Sequence, residues 1–223
     1  MQEKQPEEYL NELKNSRLFL GGMDEFKNQV TIVNWKIAQG WFGVVHSGVF
    51  KSKNNLPIAI KEYKTDTILD EILQQLKNLE KIDKSYPFII NCIGFFAWIE
   101  ELLMSNVLTI LIVFPLAKSD ISKLILKENK QFTESEVEMM VEQVLCGLRF
   151  LKNHLGIMHR DIKPQNILVL ESGTYCLADF GISYVMDRTQ NTLRSSQRQQ
   201  YVYSVQQGTI DYLAPEIVKL WSQ

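Results

Sequence analysis

The period of the apolar residues changes once along this chain, and that change limits the folds open to it most. Residues 31–38, 44–50 and 57–63 alternate with the two-residue period of strands. A glycine-bearing turn and the polar run 51–55 separate them, which predicts an antiparallel meander. Residues 66–81 interrupt it, with Ile68, Ile72, Leu76 and Leu79 at helical spacing behind a cap at Asp66 or Thr67. Strand character returns near 92–99 and 107–114. Helical repeats then dominate: a short segment at 119–126 and a long one at 133–155, where Thr133 and Glu136 form a capping-box pair. Val137, Met140, Val141, Val144, Leu145, Leu148 and Leu151 make its apolar stripe. Short strands at 167–169 and 175–178 bracket a turn at Ser172–Gly173. Strands first and helices second predict an α+β fold, β-rich in its first part and helical in its second.

The ends and loops carry less pattern. Residues 1–30 read as a charged leader, with Leu10, Leu13 and Leu18 giving either a short helix or a frayed tail. Residues 182–207, rich in Arg, Gln and Ser, read as a polar loop.

Charge and composition exclude several functions. The net charge of −2 gives no basic field for nucleic acid. The most apolar run, 107–116, is too short to span a bilayer, and residues 1–13 lack the apolar core of a signal peptide. Cys92, Cys146 and Cys176 are spaced like neither a zinc site nor a redox pair, so a soluble protein of the reducing cytoplasm is expected.

Two elements of the strand-rich part suggest phosphate chemistry. The turn Ala38-Gln39-Gly40-Trp41-Phe42-Gly43 has glycines that let backbone N–H groups approach an anion. Such glycines equally serve a plain hairpin. Ala59-Ile60-Lys61 places a lysine among apolar strand residues. Downstream stand His159-Arg160-Asp161-Ile162-Lys163-Pro164-Gln165-Asn166, then Asp179-Phe180-Gly181, then Ala214-Pro215-Glu216. In this order the motifs resemble those of eukaryotic-type protein kinases, and the resemblance covers about residue 31 onward.

The resemblance implies a two-lobed kinase-like fold: leader 1–30, N-lobe with hinge 31–116, and a partial C-lobe 117–223 ending just after the last motif. It implies that Asp161 accepts the proton of the substrate hydroxyl and that Lys163 neutralises the γ-phosphate. Asn166 and Asp179 would hold Mg2+, Lys61 the α- and β-phosphates of ATP, and Gly40 and Gly43 would close over the nucleotide. Val45, Ala59 and Leu168 match the residues that sandwich adenine, and Val113 matches the guard of the back pocket. The carbonyl of Phe114 and the N–H of Leu116 match the hinge atoms that read the base. Lys163 with Thr209 matches serine/threonine kinases, so the implied partner is a protein substrate with a Ser/Thr acceptor. Gln165, where basophilic members often carry Glu, weakens a preference for substrate arginine. Arg160 before Asp161 implies control by an upstream kinase acting on the 182–207 loop, at Thr189, Thr192, Ser195, Ser196 or Ser204.

Three departures keep a nucleotide-binding pseudokinase, a regulatory scaffold or an inactive fragment open beside the active enzyme. Ala38 replaces the first loop glycine. The partner of Lys61 on the helix is Gln75, which the apolar positions Leu79 and Ile82 favour, or Glu71. The chain also stops seven residues after Glu216, so the stripe on the long helix is expected to lack cover and the chain alone to be unstable.

Overall fold

Alternating β-branched and aromatic residues build the first strands of the computed structural model, which describes residues 4–39, 43–65, 69–101, 106–180, 183–185, 209–215 and 218. Val30–Gln39 (β2), Val44–Phe50 (β3) and Leu56–Thr65 (β4) form the expected meander, turned at Asn54 and Asn55 in left-handed conformation. Asn tolerates that conformation better than most residues. Gly94–Glu101 (β5) and Asn106–Pro115 (β6) extend the sheet.

The leader is ordered, which periodicity alone does not reveal. It forms a helix Pro6–Lys14 (α1), a strand Phe19–Gly21 (β1) and a helix Met23–Gln29 (α2). β1 pairs in parallel with β5, giving the six-stranded order β1-β5-β6-β4-β3-β2. Leu13 and Leu18 are buried, and Phe26 packs on Phe96 and Trp98. The apolar cluster of this sheet contains Val30, Phe50, Ile58, Ile60, Phe96, Leu111 and Val113.

Leu69–Lys81 (α3) buries Leu69, Ile72, Leu73, Gln75, Leu76, Asn78 and Leu79. Its proposed cap, Asp66 or Thr67, lies outside the described residues. α1 runs alongside it. Tyr9 donates to Asp70 Oδ1 at 2.9 Å, Lys77 donates to Glu12 Oε1 at 2.8 Å, and Ser16 donates to Glu80. The partners advance together in number, so the two helices run in the same direction.

The chain divides into two compact units, Met1–Lys84 with Ile90–Leu116, and Ser85–Ile89 with Ala117–Gln223. The leader therefore folds with the first unit, and Ser85–Ile89 belongs with the second, where Leu177 donates its N–H to the Phe88 carbonyl at 3.0 Å. In the second unit Ser119–Asp120 (β7) precedes Ile121–Leu126 (α4), which Asp120 caps by accepting from the Lys123 N–H at 2.9 Å. Glu134–Phe150 (α5) follows, with the full Thr133/Glu136 capping box, and ends in a widened π-helical turn at Leu151–Leu155. Ile157–Met158 (β8), Ile167–Val169 (β9), Tyr175–Leu177 (β10) and Tyr184–Val185 (β11) complete the strands. β9 lies between β10 and β7, and β8 pairs with β11.

The single stripe expected on the long helix separates into two faces. Val144 and Leu151 are buried and Met140 and Leu148 half-buried, whereas Val137, Val141 and Leu145 are exposed. The outer three recur every fourth residue and line one open apolar groove with Phe132. Among the described residues no helix is long and apolar enough to cross a membrane.

Candidate active site

A polar network in the second unit is built from a loop and one distant threonine. Lys163 donates to Thr209 Oγ1 at 2.7 Å, and the Thr209 hydroxyl in turn donates to Asp161 Oδ1 at 2.9 Å. Lys163 Nζ also lies 2.8 Å from Asp161 Oδ2. Asn166, buried in the 3-10 turn Pro164–Asn166, donates through Nδ2 to the Asp161 carbonyl and to Oδ2, each at 2.8 Å. The Asp161 carboxylate is thus held by three neighbours, each a donor, which fixes its direction. A carboxylate held this way is equipped to orient a hydroxyl and accept its proton.

His159 supports the loop from beneath. It is buried, its Nε2 donates to the Ala178 carbonyl at 2.9 Å, and its Nδ1 accepts the Asp161 N–H at 3.3 Å. Burial pushes its pKa below the ordinary value of 6.5 and keeps the ring neutral. Its ring lies 5.2 Å from that of Phe180, which is buried. Arg160 and Asp179 hold left-handed φ angles of 67° and 63°. Non-glycine residues there are strained, and such strain persists where the surrounding structure over-determines it.

Asn166 and Asp179 are brought close together along the backbone, because the Ala178 N–H donates to the Asn166 carbonyl at 2.9 Å. With its nitrogen committed to Asp161, the Asn166 side chain offers Oδ1 as a ligand. One amide oxygen and one carboxylate fit Mg2+, which takes few protein oxygens and keeps water and phosphate ligands. Among the described residues no group of three or more His, Cys, Asp or Glu could hold a metal ion by itself. Leu168 lies in β9, opposite Cys176 and Asp120.

In the first unit the register sets Ala38, Val45 and Lys61 in one row across β2, β3 and β4. Ala59 pairs with Ser47 and Phe114, and Val113, fully buried, pairs with Ile60 and Gly94. Lys61 is 8% exposed, and its Nζ lies 5.3 Å from the Tyr63 ring centroid. The Tyr63 hydroxyl donates to Gln75 Oε1 at 2.6 Å, and Gln75 is 2% exposed. Glu71 is exposed, so of the two candidates it is Gln75 that faces this strand.

Two of the expected site residues make other contacts in the first unit. The Leu116 N–H, expected to read a base, donates to the Pro57 carbonyl at 3.1 Å. The β4–β6 ladder continues one step past Ile58–Pro115 and takes up that donor. Gly43, expected to close over the nucleotide, also has a packing role: a Cβ there would stand 2.4 Å from the Glu62 carbonyl oxygen. Gly40, Gly181, Glu216 and the candidate acceptors Thr189, Thr192, Ser195, Ser196 and Ser204 lie outside the described residues.

Sequence reasoning missed Tyr63, although its signal was present: it lies two residues beyond Lys61, hence on the same strand face. It also missed His46, which accepts the Lys36 N–H at 3.0 Å and pairs with Glu62 at 2.7 Å, holding Lys36 at a φ of 55°. No local pattern announces that triplet.

A protein kinase domain model matches residues 32–223. The chain is 30% identical over 158 residues to mitogen-activated protein kinase kinase 1c of Physcomitrium patens, covering 71% of this chain and 40% of that protein. It is 31% identical over 156 residues to the serine/threonine-protein kinase pakH of Dictyostelium discoideum, covering 69% and 28%. It is 27% identical over 170 residues to the tyrosine-protein kinase SYK of Gallus gallus, covering 73% and 25%. The chain thus spans well under half the length of these curated relatives.

Proposed function

This chain belongs to the protein kinase domain family, and from that premise we propose that it transfers the γ-phosphoryl group of ATP to serine or threonine hydroxyls of proteins. The observation that carries the reading is the Lys163–Thr209–Asp161 network. Its threonine and its lysine are the two positions by which the sequence resembles serine/threonine kinases, and here they meet on the carboxylate expected to do the chemistry. Relatives of both serine/threonine and tyrosine type are similar to the chain, so the acceptor class rests on this network.

ATP with Mg2+, when bound, supplies the phosphoryl group and neutralises charge on its oxygens. Asn166 and Asp179 would hold the metal through oxygen, and Lys61 would meet the α- and β-phosphates. Asp161 accepts the hydroxyl proton as that oxygen bonds to the γ-phosphorus and ADP leaves. Lys163 balances charge on the transferred group, and Thr209 keeps Asp161 and Lys163 in register. Gln165, exposed and 3.3 Å from Ser122 Oγ, offers no charge to a substrate arginine. We place the protein in the cytoplasm, a reading its three free cysteines support.

Asp161→Asn tests the assignment. It should abolish transfer of radiolabelled phosphate while ATP affinity stays within about twofold, because the residue acts on the acceptor. Loss of nucleotide binding together with turnover would assign Asp161 a structural role instead.

A further inference from the structure

We propose that Tyr63 is a positioning residue that links Lys61 to α3, through its ring at one end and its hydroxyl at the other. The inference rests on the kinase reading for its consequence but on geometry for its content. Lys61 and Tyr63 are two residues apart on β4, so both side chains leave the strand on one face. Both are buried, and the Lys61 ammonium lies 5.3 Å from the ring centroid, within reach of its π face. The other end of the same side chain is fixed by its hydrogen bond to Gln75, 2.6 Å long and away from water. A rigid aromatic ring with a cation at its face and a helix at its tip transmits the position of that helix to the cation.

The acidic residues of α3 face solvent or are bonded to the leader. Asp70 and Glu71 are exposed, Asp70 is bonded to Tyr9, and Glu80 is bonded to Ser16 and to the Arg17 N–H. The helix therefore reaches toward β4 with an uncharged amide, and the amide oxygen accepts from the tyrosine. Because the tie is neutral, it involves no burial of a carboxylate, and its strength is insensitive to salt.

The test uses the full chain with [13C]-lysine NMR and nucleotide titration. In the nucleotide-free protein the Lys61 ε-methylene resonance should carry the ring-current shift of Tyr63. Gln75→Leu, which removes the acceptor that fixes that ring, should move it, and Tyr63→Phe should move it similarly. The double variant should add nothing further, since both remove the same bond. ATP dissociation constants should rise about three- to tenfold for Tyr63→Phe and for Gln75→Leu, the range expected from one hydrogen bond. They should rise further for Tyr63→Leu, which also removes the ring, while Gln75→Glu restores an acceptor and tight binding. A Lys61 resonance unmoved by Gln75→Leu overturns the proposal. So does ATP affinity unchanged in Tyr63→Phe and Gln75→Leu when Lys61→Ala abolishes it. If the unsubstituted chain binds no ATP, the kinase reading falls, and the resonance alone decides the link.

Discussion

Thr209 Oγ1 stands between Asp161 and Lys163, 2.9 Å from one and 2.7 Å from the other, although 48 residues of chain separate it from the aspartate. A hydroxyl is both donor and acceptor, so one atom satisfies an acid and a base that are themselves in contact. Thr209→Ala should leave ATP affinity intact and lower kcat about 10- to 100-fold, through misplacement of Asp161. Thr209→Ser should retain most of the rate. Steady-state kinetics of the two variants check this, and equal losses in both would argue that the methyl group matters more than the hydroxyl.

The ordered leader should stabilise the first unit. Tyr9→Phe removes the hydroxyl bond to Asp70 without opening a cavity. We expect a loss of about 1 kcal/mol, seen as a fall of about 2–4 °C in Tm. Calorimetry that detects no change would show that α1 is held by Leu13 and its apolar neighbours alone.

Gly43→Ala distinguishes a packing role from a nucleotide role. The added Cβ cannot avoid the Glu62 carbonyl, so β3 and β4 must separate locally. Destabilisation of about 1–3 kcal/mol is expected in the absence of any nucleotide. A variant with unaltered unfolding but weakened ATP binding would return Gly43 to the role that the sequence suggested.

His159 predicts a defined acid sensitivity. Burial lowers its folded pKa, so the unfolded chain binds the extra proton first. The stability from the neutral ring is therefore fully present above the ordinary value of 6.5 and is lost as pH falls below it. Denaturant titrations from pH 8 to about pH 5 should show this decline, with a slope of up to about 1.4 kcal/mol per pH unit. His159→Asn should be less stable but flatter across that window. An equally steep variant would place the titration elsewhere.

The outer face of α5 should make this chain adhesive. Val137, Val141 and Leu145 are each at least 40% exposed, and contiguous apolar surface of this kind binds hydrophobic dyes and promotes association. Leu145→Gln should reduce dye binding and aggregation while changing Tm by less than about 1 °C, because little burial is lost. A large fall in Tm would mean that the face is covered in solution.

What the sequence by itself determined was local or carried by contiguous motifs. The meander, the Thr133 capping box and the Asp161–Asn166 loop all follow from neighbours within a few residues, where strand period, side-chain capping and turn chemistry act directly. The apolar register of α3 likewise turned Gln75 rather than Glu71 toward the core. The tertiary structure alone decided what depends on partners distant in sequence. β1 joins β5 because a leader with few apolar residues can still complete a sheet edge. The stripe of α5 separates because burial depends on which face another element covers, which periodicity along one helix does not encode. Gly43 is constrained by the carbonyl of Glu62 on the next strand, and Leu116 surrenders its N–H to Pro57, because hydrogen-bond ladders are settled by register between strands. Tyr63 gains its place only when β4 and α3 pack: within the sequence it is an ordinary strand aromatic, and the buried contact with Gln75 twelve residues away makes it a link to Lys61.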